Sequence, residues 1–335
     1  MSRPAEARPP AGGEAVPGRG WGRGRARPLA LTALLLSGGG LAALLWSQRA
    51  SPPLKSSLAR PFQLIGTPIQ LVDRLASRLV PVGAVEEQQL GAVYHQRYAA
   101  QLQPGDPTQA YLDRLMARQV KPHTRRALTY RAYRIGRLGA PNAMALPGGV
   151  ILVSDELLEL VRSEAELVAI LAHEAGHIEL EHCFDQVRFE LLLRHSGAES
   201  LGWIADRAIG VLLQRHYSKT AEQEADDHGY RLLLESPYDP AAMGRVFAAF
   251  NRLRRVDARP SDHHADLLRD YLASHPPGPL RQAEYEQRAA AWWAAHRRER
   301  RYLGVENLRR RRSLAELERP EEWARGAARG AQAAR

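Results

Sequence analysis

Cysteine is all but missing from this chain: Cys183 is the one thiol in 335 residues. No intramolecular disulfide can form, and no cysteine-based metal site can be assembled. A lipoprotein signal is excluded as well, since it needs a cysteine just after an N-terminal apolar segment and none stands there. Lysine is scarce too, at positions 55, 121 and 219, so arginine carries almost all of the formal net charge of +10. A basic surface allows contact with anionic lipid or with nucleic acid. No nucleic-acid motif accompanies it, so lipid is the favoured partner and nucleic acid is not expected.

What the chain does have is chemistry in its middle, at His173-Glu174-Ala175-Gly176-His177. Leu167, Ile170, Leu171 and Ile178 recur around it at helical spacing. Ser163 with Glu166 three residues on reads as a capping box that starts the helix. On a helix, positions four apart share a face, so both imidazoles can reach one metal ion. Glu174, beside the first histidine, can take a proton from a water held there. Two histidines do not by themselves hold a catalytic zinc, which takes three protein ligands and leaves one position open.

A third ligand is available at Glu222, in Ser218-Lys219-Thr220-Ala221-Glu222-Gln223-Glu224-Ala225-Asp226. This stretch opens a second expected helix running through Tyr230 and Leu234. Glu222 and Asp226 are four apart and share a face. Glu222 can ligate zinc while Asp226 accepts a hydrogen bond from a ligand histidine's other nitrogen. Glu224 points elsewhere and reads as a solvated charge.

The helix pair resembles that of the zinc metallopeptidases of family M48, which includes the HtpX, BepA and CAAX prenyl protease types. Two further stretches are similar to that family: Asn142-Ala143-Met144-Ala145-Leu146-Pro147-Gly148-Gly149, with Met144 where phenylalanine is usual, and Ser274-His275-Pro276 followed by Arg281. His182, five beyond His177, also matches the bacterial members. The resemblance spans about residues 88–281. It implies an α+β fold, a mostly helical zincin-like (gluzincin) domain with a small β-sheet, binding one Zn2+ per chain through His173, His177 and Glu222. It implies Glu174 as general base, His275 as the group that stabilises an oxyanion or occupies the zinc in a latent enzyme, and Arg281 as its neighbour. It further implies strand addition of a peptide along Pro147, Gly148, Gly149 and Val150. From the residues alone, the two glycines serve either that close approach or a plain tight turn.

Residues 1–27 are rich in arginine, proline and glycine and are expected to be disordered. Residues 28–47 carry no charge and are long enough to span a bilayer as one helix. They exceed the apolar core of a cleaved signal, and Leu45-Trp46-Ser47-Gln48-Arg49-Ala50 is a poor cleavage site, so an uncleaved signal anchor is favoured over secretion to the periplasm after cleavage. The preceding arginines predict a single-pass protein of the bacterial inner membrane with its catalytic domain in the periplasm. Residues 48–84 form a linker whose amphipathic part either lies on the membrane or covers the catalytic core. The metallopeptidase domain is expected over 85–281, with helices over 86–103 and 107–119, strands over 126–135 and 149–154, and a helical cover over 184–217. Residues 282–335 read as a basic Ala/Arg-rich helical tail, solvated for the most part and able to touch anionic lipid. Cys183 reads as a packed small residue, a redox or zinc-inhibitory role being the alternative. His228 and His182 read as structural, and His263 and His264 as exposed. The function expected is a membrane-anchored zinc endopeptidase cleaving misfolded or envelope proteins; the alternative is a latent zincin acting mainly as an envelope chaperone or assembly factor.

Overall fold

The computed structural model describes residues 82–195, 201–214, 217–256, 275 and 278–325, all within a compact unit spanning 69–335. The expected disordered N-terminus, the signal anchor, most of the linker, His263 and His264 lie outside the described residues. No helix among the described residues is long and apolar enough to cross a membrane.

Helix α1 (Ala84–Ala99) is followed by α2 (Pro107–Leu115), whose N-cap Asp106 accepts from Thr108 N–H. Strand β1 (Arg131–Arg134) leads to the hairpin β2 (Ala143–Leu146) and β3 (Val150–Val153). The sheet runs β1-β3-β2, with β3 parallel to β1 and antiparallel to β2. Val150-Ile151-Leu152-Val153 is buried throughout, as its continuous apolar run requires of a central strand. The sequence reading placed strands over 126–135 and 149–154 and gave none over Ala143–Leu146, because a four-residue strand followed by a three-residue turn shows too little alternation to stand out.

After α3 (Asp155–Leu160) comes α4 (Glu164–Glu179), nearly all of it buried. Ser163 caps it by accepting from Glu166 N–H. The return bond of the capping box goes to Arg162 N–H, not to the cap residue's own. Then follow α5 (His182–His195), α6 (Leu201–Gln214), α7 (Lys219–Glu235, capped by Ser218), α8 (Ala242–Val256) and α9 (Pro279–Ala295). Helices α4 and α7 cross closely at Gly176: a Cβ there would stand 3.1 Å from the Ala225 Cα.

The stretch past Arg281 differs from the expected solvated helical tail. After α9, a two-stranded ribbon of β4 (Arg300–Tyr302) and β5 (Trp323–Arg325) encloses a short helix, α10 (Val305–Arg310). This segment supplies what the start of α4 lacks. Gly304 and Leu303 carbonyls accept from the otherwise orphaned Glu164 and Ala165 amides. Trp293 and Tyr302 are buried here. Composition hid this, because a few buried aromatics anchor a chain that is otherwise alanine and arginine.

Candidate metal centre

Two helices build the site. Helix α4 sets His173 and His177 one turn apart with their Nε2 atoms 3.2 Å from each other. Helix α7 brings Glu222 to them, Oε1 3.3 Å from His177 Nε2 and Oε2 3.9 Å from His173 Nε2. Ligands about 2.0–2.1 Å from a tetrahedral zinc stand ~3.4 Å from one another. Three buried donors of the right chemistry converge at that spacing, so the residues fit the ion.

Each histidine is steered from behind. His173 Nδ1 lies 2.9 Å from Asp226 Oδ1. Asp226 is gripped at both oxygens by Arg281, through Nε at 2.8 Å and Nη2 at 2.7 Å. The third nitrogen of Arg281 reaches Glu222 Oε2 at 2.9 Å. Arg281, expected as a neighbour of His275, therefore holds Glu222 and Asp226 in one geometry. On the other side, His177 Nδ1 lies 3.1 Å from His182 Nδ1, and His182 Nε2 lies 3.0 Å from Glu224 Oε2. The Glu224 side chain is 52% exposed yet paired, which the sequence reading missed. Spacing gave no signal for it, since residues two apart on a helix face different ways and the partner His182 comes from another helix.

Electrostatics suit metal binding. Burial pushes the His177 imidazole well below its usual value, keeping it neutral. Burial works to raise the Glu222 carboxyl, but the charge of His275 and its hydrogen bond outweigh it and hold it ionised.

Glu174 is fully buried, and its Oε2 accepts from Ala145 N–H at 2.9 Å. That bond ties the carboxylate to the free edge of β2. Its Oε1 has no hydrogen-bond partner and lies 3.8 Å from His275 Nε2. His275 itself sits among the candidate ligands, with Nδ1 2.9 Å from Glu222 Oε1 and 3.4 Å from His173 Nε2. The four residues His173, His177, Glu222 and His275 each offer a donor atom within 4.8 Å of the others. Burial lowers the His275 imidazole, but Glu222 and Glu174 more than reverse this and leave it raised.

Tyr217, which the sequence reading did not single out, stacks on His177 with ring centroids 3.9 Å apart. It immediately precedes the cap of the third-ligand helix, so its place in the chain follows from that of Glu222. Cys183 is buried, with Sγ 3.7 Å from the His177 carbonyl, and burial pushes its thiol up. It is a packed residue.

The peptide-binding strand at Pro147, Gly148, Gly149 and Val150 is corrected by the geometry. Val150 lies in β3, which has a partner on each side and no free edge. Pro147, Gly148 and Gly149 form the buried β2–β3 turn, with φ of +85° and +96° at the two glycines. A Cβ on Gly148 would meet Gly91 Cα at 2.3 Å, and one on Gly149 the Thr129 carbonyl oxygen at 2.3 Å. The glycines admit the protein's own backbone. The free edge beside Glu174 belongs to Ala143–Leu146.

Comparison with known proteins agrees with this arrangement. The chain is 29% identical over 144 residues to the mitochondrial metalloendopeptidase OMA1 of Arabidopsis thaliana, covering 42% of this chain and 28% of that protein. It is 26% identical over 187 residues to mitochondrial metalloendopeptidase OMA1 of Schizosaccharomyces pombe, covering 54% and 53%. It is 28% identical over 140 residues to metalloprotease LoiP of Escherichia coli, covering 38% and 55%. The chain thus spans less than two thirds of the length of these relatives. The family model for peptidase family M48 matches residues 106–289, more than half of the chain and the whole of the site, so the chain belongs to the zinc-dependent peptidase family M48.

Proposed function

We propose that this chain is a zinc-dependent endopeptidase with His173, His177 and Glu222 as ligands and Glu174 as general base. One observation carries the reading: two imidazole nitrogens and the two oxygens of one carboxylate, with contacts of 3.2–3.9 Å, stand beside a buried carboxylate whose Oε1 has no partner. Zinc bound there would supply the Lewis acidity that acidifies a water and polarises a scissile carbonyl. Glu174, fixed at Oε2 by Ala145 N–H, takes the water proton at Oε1 and returns it to the leaving amine. Asp226 and Arg281 hold the His173 ring and Glu222 in register. His275, once off Glu222, is placed to donate a hydrogen bond to the developing oxyanion.

The position of His275 within the ligand group favours a second reading, a latent zincin that acts mainly as a chaperone or assembly factor until that histidine is displaced. In either case residues 28–47 anchor the protein in a membrane with its catalytic domain in the bacterial periplasm, anionic lipid meets the basic ends, and the substrates are misfolded or envelope proteins.

The test is casein hydrolysis and zinc content of the full-length chain beside Glu174→Gln. About one zinc in both, with cleavage by the wild type alone, supports the peptidase. Zinc in both without cleavage, followed by activity in His275→Ala, supports the latent form. Zinc in neither would sink the proposal.

A further inference from the structure

Arginine carries almost all of this chain's positive charge, and within the domain it is matched: Arg131, Arg134 and Arg245 each have a carboxylate oxygen at 2.6–2.8 Å. The ribbon that follows α9 is different. Arg297 and Arg298 lie in the turn leading into β4, and Arg300 opens that strand directly opposite Arg325 of β5. All four are exposed, and among the described residues none of the four forms an ion pair. Like charges facing each other across two strands, with Cβ atoms about 4.5–5.5 Å apart, are destabilising. Glu299 is the one acid between His296 and Tyr302, and the sequence beyond Arg325 adds Arg329 and Arg335 without an acid. The inner end of the same ribbon face is fixed, with Tyr302 buried and its ring centroid 5.1 Å from that of Trp323. An anchored ribbon thus presents four unneutralised guanidinium groups at its outer end.

We infer that this outer end of the β4–β5 ribbon is a docking surface for the phosphate headgroups of an anionic bilayer. The inference rests on the proposed membrane anchor for bringing a bilayer to the protein, and on nothing in the zinc chemistry. A guanidinium offers paired N–H donors that match two oxygens of a phosphate, so a headgroup between Arg300 and Arg325 turns their repulsion into attraction. Each arginine close to an anionic lipid surface adds about fivefold to binding. Half-buried Trp292 and Trp323 flank the cluster, and tryptophan is enriched at membrane–water interfaces. The same two indoles argue against nucleic acid as the partner. Trp292 is stacked with His296, ring centroids 4.3 Å apart, and carries the Arg301 guanidinium 4.6 Å from its centroid. Trp323 carries the Arg300 guanidinium at 5.4 Å and packs on Tyr302. Both rings are taken up by the chain's own side chains, which leaves no platform for bases to stack on.

The test is hydrogen exchange of the full-length chain in discs of phosphatidylcholine, or of phosphatidylcholine and phosphatidylglycerol in equal parts. Amides of residues 297–303 and 321–325 should exchange slower in the anionic discs, by about fivefold or more. Arg300→Gln with Arg325→Gln should remove that protection and leave Tm unchanged or higher, since the double change relieves a repulsion. Arg309→Gln with Arg310→Gln removes the same charge from arginines already matched by Glu306 and should keep the protection. Equal loss in both double variants assigns the effect to net charge and overturns the surface. Protection by inorganic phosphate in the neutral discs, with none added by anionic lipid, makes this a free-phosphate site and overturns the bilayer as partner. Protection by a DNA duplex but not by the anionic discs does the same in favour of nucleic acid. No protection under any condition overturns the surface itself. A chain that does not enter the neutral discs overturns the anchor alone, and the ribbon is then read by flotation on vesicles of the same two compositions.

Discussion

The Nδ1 atoms of His177 and His182 face each other at 3.1 Å, and the far nitrogen of His182 rests 3.0 Å from Glu224. Only one proton arrangement satisfies this chain with neutral rings. An ionised Glu224 accepts, so His182 carries its proton on Nε2 and offers a lone pair at Nδ1. His177 must then carry its proton on Nδ1, which leaves its Nε2 lone pair facing His173 and Glu222. The tautomer needed for metal binding is thereby set from the protein surface inward.

It follows that His182→Leu should raise the zinc dissociation constant about 10–100-fold, the usual cost of losing such a partner. Glu224→Gln should have a smaller effect in the same direction, because Glu224 is half exposed and water can replace it. Competition with a zinc chelator measures both, and circular dichroism checks the fold. Unchanged affinity in folded His182→Leu would remove the orienting role.

The turn at Gly148 makes a prediction about stability. Alanine there would combine a left-handed backbone with a backbone clash, its Cβ 2.3 Å from Gly91 Cα. Strain and overpacking together should cost about 3 kcal/mol or more. Thermal unfolding should show a drop in Tm of roughly 6–12 °C. Gly105 has a φ of +78° but open space around its Cβ position, so Gly105→Ala should cost only about 1 kcal/mol.

Glu164, at the first position of the metal helix, predicts a pH dependence. Burial pushes its carboxyl up from the ordinary 4.5 to about 7, against the lowering effect of hydrogen bonds from Tyr238 and the Leu314 amide. The folded chain therefore holds this proton more tightly than the unfolded chain. Its stabilising contribution is full below pH 4.5 and is lost as pH rises through 7. A shift of this size corresponds to about 3 kcal/mol. Glu164→Gln should flatten the fall in stability between pH 5 and pH 8, read as urea midpoints across that range. A fall of the same size in the variant would assign it to other groups.

The candidate metal-binding group was legible in the sequence because helical geometry is local. His173, His177, Glu222 and Asp226 each declare a face by their four-residue spacing, and Ser163 and Ser218 mark where the two helices start. The β2–β3 turn was legible as residues but not as a role. Whether Gly148 and Gly149 admit a substrate or the chain itself depends on Gly91 and Thr129, which are remote in sequence. The packed segment after Arg281 stayed hidden for a related reason, since its partner is the start of α4.

The sequence by itself therefore determined which atoms are available: two imidazoles and a carboxylate as candidate ligands, two further carboxylates, and the helices that carry them. Only the tertiary structure decided which of them meet. It put His275 among the candidate ligands, joined Glu224 to His177 through His182, stacked Tyr217 on His177, and set an apolar pocket between two helices far apart in the chain. Periodicity fixes the face a side chain occupies on its own helix, but the partner across the gap is chosen by how that helix packs. That choice depends on buried surface and close backbone approach between segments that share no local pattern.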